Sequence, residues 1–128
     1  MKILYMYPCK ETLKDNPMFK IMFGEDALIF LSELDEKSRN KVIYNIEKAS
    51  RQNDSQLFKK LKNEIWEFRT LYNKTYYRIF AFWDKSNGSE TLIIATHGIV
   101  KKTDKTPEKE IEKAENIRQE YFNNKNHD

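Results

Sequence analysis

Apolar side chains recur along this chain in two rhythms, one of period two and one near 3.6, and the switches between them mark out its elements. Met18-Phe19-Lys20-Ile21-Met22-Phe23 is a short strand stopped by Gly24. Residues 25–34 predict a short helix, with Leu28, Leu31 and Leu34 at three-residue spacing and Ala27 and Phe30 beside them. Asp35 is placed to cap a second helix over residues 36–51, where Val42, Ile43, Ile46 and Ala49 form one apolar stripe. So short a break predicts an antiparallel helical hairpin, ended by Gln52-Asn53-Asp54-Ser55.

From Leu57 the chain turns aromatic and β-branched. Residues 65–72 and 76–83 predict two strands of a hairpin, joined through Asn73-Lys74-Thr75. Asn87-Gly88 centres a second turn, and residues 90–100 give the last strand. Thr106 is read as the cap of a final helix, with Pro107 at its first position and Glu108 and Glu110 in its first turn. Ile111, Ala114, Ile117, Arg118 and Tyr121 mark its inward side. The expected fold is an α+β domain: an antiparallel sheet with the N-terminal helical hairpin on one side and the C-terminal helix beside it. Trp66, Phe68, Ile79, Ala81, Ile93 and Ala95 are expected in the core, against Leu31, Val42 and Ile46. Residues 18–122 form that single domain. Residues 1–17, which close on Lys14-Asp15-Asn16-Pro17, are expected to be a poorly ordered or peripheral extension, and residues 123–128 a polar tail.

Composition narrows the class. One domain is the expectation for 128 residues. Charged residues at 34% beside aromatics at 13% favour a folded, highly solvated globule over disorder. A net charge of +3 says little by itself, so where the cations lie decides what they do. The lone Cys9 excludes an internal disulfide and suits a reducing compartment. The apolar run before Cys9 is too short for a secretory signal, and Tyr7 and Pro8 stand where small residues are needed. No run approaches the ~20 apolar residues that span a bilayer. A cytoplasmic protein with no membrane contact is expected.

The chemistry lies in the second half. Glu67 and Arg69 alternate with Trp66 and Phe68, so they share one face of their strand. If the hairpin register sets Arg69 near Arg78, two cations meet on that face, and such a pair needs an anion between them. Either Glu67 or a phosphate fills that need. Lys101 and Lys102 end the last strand and Lys105 follows, which extends the cationic cluster in the manner of a phosphate-binding surface. His97 is a structural residue of its strand or a proton carrier near neutrality, and Gly98 beside it signals a bulge or a close backbone approach. His127 lies in the polar tail, away from these motifs. One cysteine and two distant histidines offer no zinc spacing, and three glycines offer no phosphate loop. Glu108, Glu110, Glu112 and Glu115 are interleaved with lysines and read as a solvated helix face rather than a magnesium site. No metal or cofactor is expected, and chemistry on RNA would proceed by attack of the ribose 2′-hydroxyl, with cations stabilising the added charge.

Four segments taken in order resemble a known family: Trp66-Glu67-Phe68-Arg69, Tyr77-Arg78, His97-Gly98-Ile99-Val100-Lys101-Lys102-Thr103 and Lys105-Thr106-Pro107. Their order and spacing resemble the phage-derived, HigB-like branch of the RelE/HigB superfamily of type II toxins, and with the helical segments the likeness covers residues 18–122. The resemblance implies a RelE/ParE-like fold and ribosome-dependent cleavage of translated mRNA. It also implies silencing by a cognate antitoxin, with a helix-turn-helix antitoxin as the expected kind. By the same resemblance Arg78 contacts the scissile phosphate, Lys101 and Lys102 belong to the basic segment after the last strand, and Glu67 and Arg69 fall on the strand motif; from the cationic clustering, Arg69 and Lys105 are expected to help hold RNA. Where RelE carries lysines for proton transfer, this chain has Ile65 and Glu67, which leaves the base among Glu67, His97 and a lysine of lowered pKa. Tyr121 is too far down its helix to match the C-terminal tyrosine of RelE. The alternatives are a non-enzymatic toxin acting through protein contacts, like the ParE relatives, or a degenerate antitoxin-binding protein.

Overall fold

Two residues in left-handed backbone, Asn73 at φ 52° and Lys74 at φ 60°, close the hairpin at the centre of the molecule. Two successive positive φ values belong to the tight turn whose twist matches that of antiparallel strands. They fix the register of β4 (Trp66–Tyr72) and β5 (Thr75–Asp84), in which Tyr72 pairs with Thr75, Arg69 with Arg78 and Trp66 with Ala81. In this computed structural model the described residues are 3–7, 19–86, 88 and 92–126. Asn87 of the expected Asn-Gly turn, His127 and most of residues 1–18 lie outside them.

Among the described residues the elements follow in the order β1 (Ile3–Tyr7), β2 (Lys20–Gly24), α1 (Glu25–Glu33), α2 (Glu36–Arg51), β3 (Phe58–Lys60), β4, β5, β6 (Leu92–Lys101) and α3 (Glu108–Asn126). Asp35 caps α2 as read from the sequence, its Oδ2 accepting from the Ser38 amide at 3.0 Å. β1 adds an edge strand within the segment read as an extension, and α3 runs on into the segment read as a tail.

The strands form one sheet in the order β1-β2-β6-β5-β4-β3. It is mixed, which corrects the expectation of an antiparallel sheet: β2 runs parallel to β6, with Ile21 beside Ile93 and Phe23 beside Ala95. Beyond the exposed Lys20 the run to Phe23 is apolar on both faces because this strand is covered on both sides. Ile21 and Phe23 pack under the helices of one layer and Met22 packs under α3. Such a run tells that a strand is buried, but its direction follows from a partner some seventy residues away in sequence.

The two helical layers lie on opposite faces. α1 packs on β6 and β2, and α2 packs on β4, so the two consecutive helices lie across one face more than against each other. That face buries Ala27, Leu31, Val42, Ile46 and Ala49 against Phe68, Ile79, Ala81, Ile93 and Ala95. Trp66, expected in this core, is only half-buried and stacks on Phe58 at 4.7 Å between ring centres. The other face buries Phe80, Phe82 and Ile94 under Ile111 and Ala114 of α3. The last helix therefore covers the far side of the sheet instead of lying beside the first two. Each fully enclosed phenylalanine contributes about 1.5–3 kcal/mol, enough to hold α3 in place.

One irregularity governs what α3 meets. Ile79 pairs with Gly98, yet Ala81 pairs with Ala95, so Thr96 and His97 share the place opposite Phe80. This β-bulge reverses the alternation of β6: Leu92 and Ile94 face α3 before it, and Ile99 faces α3 after it. Gly98 then turns to the opposite face, where a Cβ would stand 2.3 Å from the Phe30 ring of α1. Both readings of that glycine, a bulge and a close approach, apply at once. Among the described residues no helix is long and apolar enough to cross a membrane.

Candidate functional site

Alternation along β4 and β5 places Glu67, Arg69, Tyr76 and Arg78 on the α3 face, and the bulge brings Lys101 to the same side. The apolar part of that face lies beneath α3. Toward the 73–74 turn it gives way to the charged residues and to Leu71, which is 58% exposed.

Arg78 is the pivot. Its side chain is 2% exposed, and it faces Arg69 across the hairpin. Two carboxylates keep the like charges together. Glu67, itself 3% exposed at its side chain, sets Oε1 3.3 Å from Arg78 Nε and Oε2 3.5 Å from Arg69 Nε. Asp104, from the segment between β6 and α3, accepts from both guanidiniums through one oxygen, from Arg69 Nη2 at 2.9 Å and from Arg78 Nη2. Arg78 Nη2 also donates to the Asp104 carbonyl at 3.3 Å, and the guanidinium lies 5.3 Å from the centre of the Tyr76 ring. Burial pulls the Arg78 pKa below its usual value while the Glu67 charge opposes that, and a guanidinium so placed stays charged.

Lys101 sits diagonally from Arg78, since it pairs with Tyr76 while Arg78 pairs with Ile99. Its Nζ is buried and has no hydrogen-bond partner. Lost hydration and the charge of Arg78 depress its pKa below that of an ordinary lysine, against the pull of Glu67 and Asp104. A lysine of lowered pKa is found more often as the free amine at a given pH than one in water, and so is more available as a proton acceptor.

The sequence grouped other residues with these, and the structure separates them. Lys102 is exposed and donates to Thr75 Oγ1 at 3.4 Å. Alternation puts Thr75 with Tyr77, whose hydroxyl reaches Ser38 of α2, so Lys102 belongs to the face opposite Arg78. Lys105 is exposed in the segment that carries Asp104. His97 is on the α3 face but 3% exposed, stacked on Phe80 at 4.8 Å. One ring nitrogen meets Thr96 Oγ1 at 3.0 Å and the other Glu110 Oε1 at 3.1 Å. Burial lowers its pKa despite Glu110, which favours the neutral ring. His97 thereby joins the bulge to the first turn of α3. Tyr121 is fixed elsewhere, its hydroxyl donating to Asp84 at 2.5 Å at the far end of β5, about 20 Å along the strand from Arg78.

Sequence reasoning missed Asp104, Tyr76 and the contact that the Thr106 side chain makes. The Thr106 hydroxyl donates to Glu67 Oε1 at 2.9 Å, one helical turn before the Glu110 contact with His97, so α3 is anchored to the sheet through the carboxylate that orders the arginines. The signal for Asp104 was present as an acid set among Lys101, Lys102 and Lys105.

Among the described residues no group of three or more His, Cys, Asp or Glu side chains could hold a metal ion. A recess lined by Phe19, Phe58, Trp66 and Trp83 lies on the α2 face, away from the charged cluster. Compared with protein families, residues 29–119 match the family described as Phage derived protein Gp49-like (DUF891), a span that contains every residue of the cluster. A search of curated proteins returned no match.

Proposed function

The chain belongs to the phage-derived Gp49-like family, part of the RelE/HigB-like toxin superfamily, and on that premise we propose that it is the toxin of a type II toxin–antitoxin system that cleaves translated mRNA on the ribosome. The observation that carries the reading is the convergence of Arg69, Arg78 and the buried Lys101 amine on one sheet face, around a carboxylate fixed by both arginines. Two guanidiniums with an amine beside them suit a phosphodiester whose charge rises during reaction and whose attacking hydroxyl must lose a proton.

In this reading the ribose 2′-oxygen attacks the adjacent phosphorus while its proton passes to the deprotonated form of Lys101, which the lowered pKa makes more available. The bond from phosphorus to the 5′-oxygen breaks, and that oxygen leaves with a proton from water. Arg78 and Arg69 stabilise the added negative charge, and Glu67 positions them. Tyr76 and the exposed Leu71 border the cluster and offer a surface for a splayed base. Products carry a 2′,3′-cyclic phosphate and a 5′-hydroxyl. Lys105, exposed in the loop before α3, adds a more distant phosphate contact. The family typically pairs with an antitoxin, and a small antitoxin with a helix-turn-helix domain would cover this face in the cytoplasm of the host.

The test is primer extension on a reporter mRNA after brief induction, with chemical analysis of the new ends. Lys101→Ala and Arg69→Ala should each reduce cleavage about a hundredfold or more, the usual cost of losing one transition-state donor. A 5′-phosphate at the cut would overturn the mechanism. Growth arrest by both variants without any cut mRNA would overturn the reading in favour of a toxin that acts through protein contacts.

A further inference from the structure

Asp104 has a different standing from the other three members of the arginine network. Its side chain is 60% exposed, against 2% for Arg78, 3% for Glu67 and 20% for Arg69. It sits in the segment 102–107, which has no regular secondary structure and joins β6 to α3. Glu67 is fixed in β4 and held by Thr106, while the Asp104 carboxylate needs only a side-chain rotation to leave. One of its oxygens receives both guanidinium Nη2 groups, which is the geometry of an oxyanion held between two forks. The buried amine of Lys101, without a partner, lies on the same face beside it.

We infer that Asp104 occupies a phosphate subsite, and that one non-bridging oxygen of an RNA phosphodiester replaces its carboxylate between Arg69 and Arg78. The inference rests on the proposed action on RNA and adds a resident competitor to it. Exchange of one anion for another keeps the opposed arginines neutralised throughout, so the site never holds two bare like charges. The affinity for phosphate is lowered by the fraction of time that Asp104 fills the place.

The experiment measures binding by the full chain of inorganic phosphate and of a 2′-deoxy oligonucleotide, which lacks the attacking hydroxyl. Asp104→Asn should bind both tighter, by on the order of tenfold if the carboxylate fills the site nine-tenths of the time. Arg69→Ala in the Asp104→Asn background should abolish the gain. Glu112→Gln, on the exposed surface of α3, controls for the loss of one negative charge and should change affinity much less. Equal or weaker binding by Asp104→Asn, a gain matched by Glu112→Gln, or a gain that survives Arg69→Ala would each overturn the inference. Because neither probe is cleaved, the outcome is separate from that of the nuclease reading. Tighter binding with no RNA cleavage by the wild type would sink the nuclease and keep the subsite.

Discussion

Removing Arg78 tests how the cluster is held together. Arg78→Ala leaves the Glu67 carboxylate buried, with Arg69 at 3.5 Å and the Thr106 hydroxyl as its remaining partners. Breaking one side of a buried ion pair costs about 3–5 kcal/mol, most of it the penalty of the charge left behind. For a domain of this size each kcal/mol moves the melting temperature by roughly 3–5 °C, so the variant should melt roughly 10–20 °C lower. The double variant Glu67→Gln, Arg78→Met removes the stranded charge and keeps the volume. It should recover to within about 1–2 kcal/mol of the wild type, since apolar replacement of a buried pair is often neutral. Circular dichroism melts of the wild type, Glu67→Gln, Arg78→Met and the double variant close a cycle that gives the coupling directly. If Arg78→Ala melts within about 3 °C of the wild type, or the double variant is no more stable than the single, Arg78 does not compensate a buried charge. The result also bears on the proposed cleavage, because an inactive Arg78→Ala variant that has lost its fold says nothing about the site. Lys101 and Arg69, both partly exposed, are the safer probes.

Gly98→Ala drives a methyl group into the Phe30 ring and should cost about 1–3 kcal/mol; Phe30→Ala in the same chain should relieve part of that cost, and failure to do so would place the strain elsewhere. The folded pKa of His97 lies below its ordinary 6.5, so the unfolded chain binds more protons between the two values. Its contribution to stability is then complete above pH 6.5 and is lost as pH falls through the folded pKa, and His97→Gln should flatten that part of a melting-temperature profile. Cleavage should rise with pH through a Lys101 pKa below 10.5 and level off above it; an unchanged rising limb in Lys101→Arg would remove Lys101 as the base.

Local rules carried much of this structure in legible form. Asp35 declared its helix by capping chemistry, and Asn73-Lys74 declared its turn between two runs of alternating residues. The pair Arg69 and Arg78 could be placed on one face from alternation once the hairpin was assumed. Long-range pairing was not legible. The direction of β2 and the choice of face by α3 depend on partners distant in sequence, and β3, only three residues long, is too short for a period to show. At the site, Glu67, Arg69 and Arg78 were readable as a group, whereas the separation of Lys101 from Lys102 was not. Adjacent residues on a strand point to opposite sides, so a lysine pair in sequence becomes one lysine at the cluster and one away from it. Asp104 escaped because it lies outside regular structure, where no period announces which way a side chain turns.

The extra residue at Thr96–His97 acts on β6 as a single-letter insertion acts on a reading frame. Upstream of it the strand spells a core, with Leu92 and Ile94 under α3; downstream the same face is read one position out of step and spells Ile99 and Lys101. The two halves can therefore drift separately, since substitutions that repack the core leave the phase of the basic half untouched. Straightening β6 at this point with its sequence unchanged would keep every lysine in the sequence and every strand in the sheet. It would nonetheless exchange Lys101 for Lys102 at the arginines and return Gly98 to the α3 side, reversing the sheet's chemistry from that point to the end of the strand.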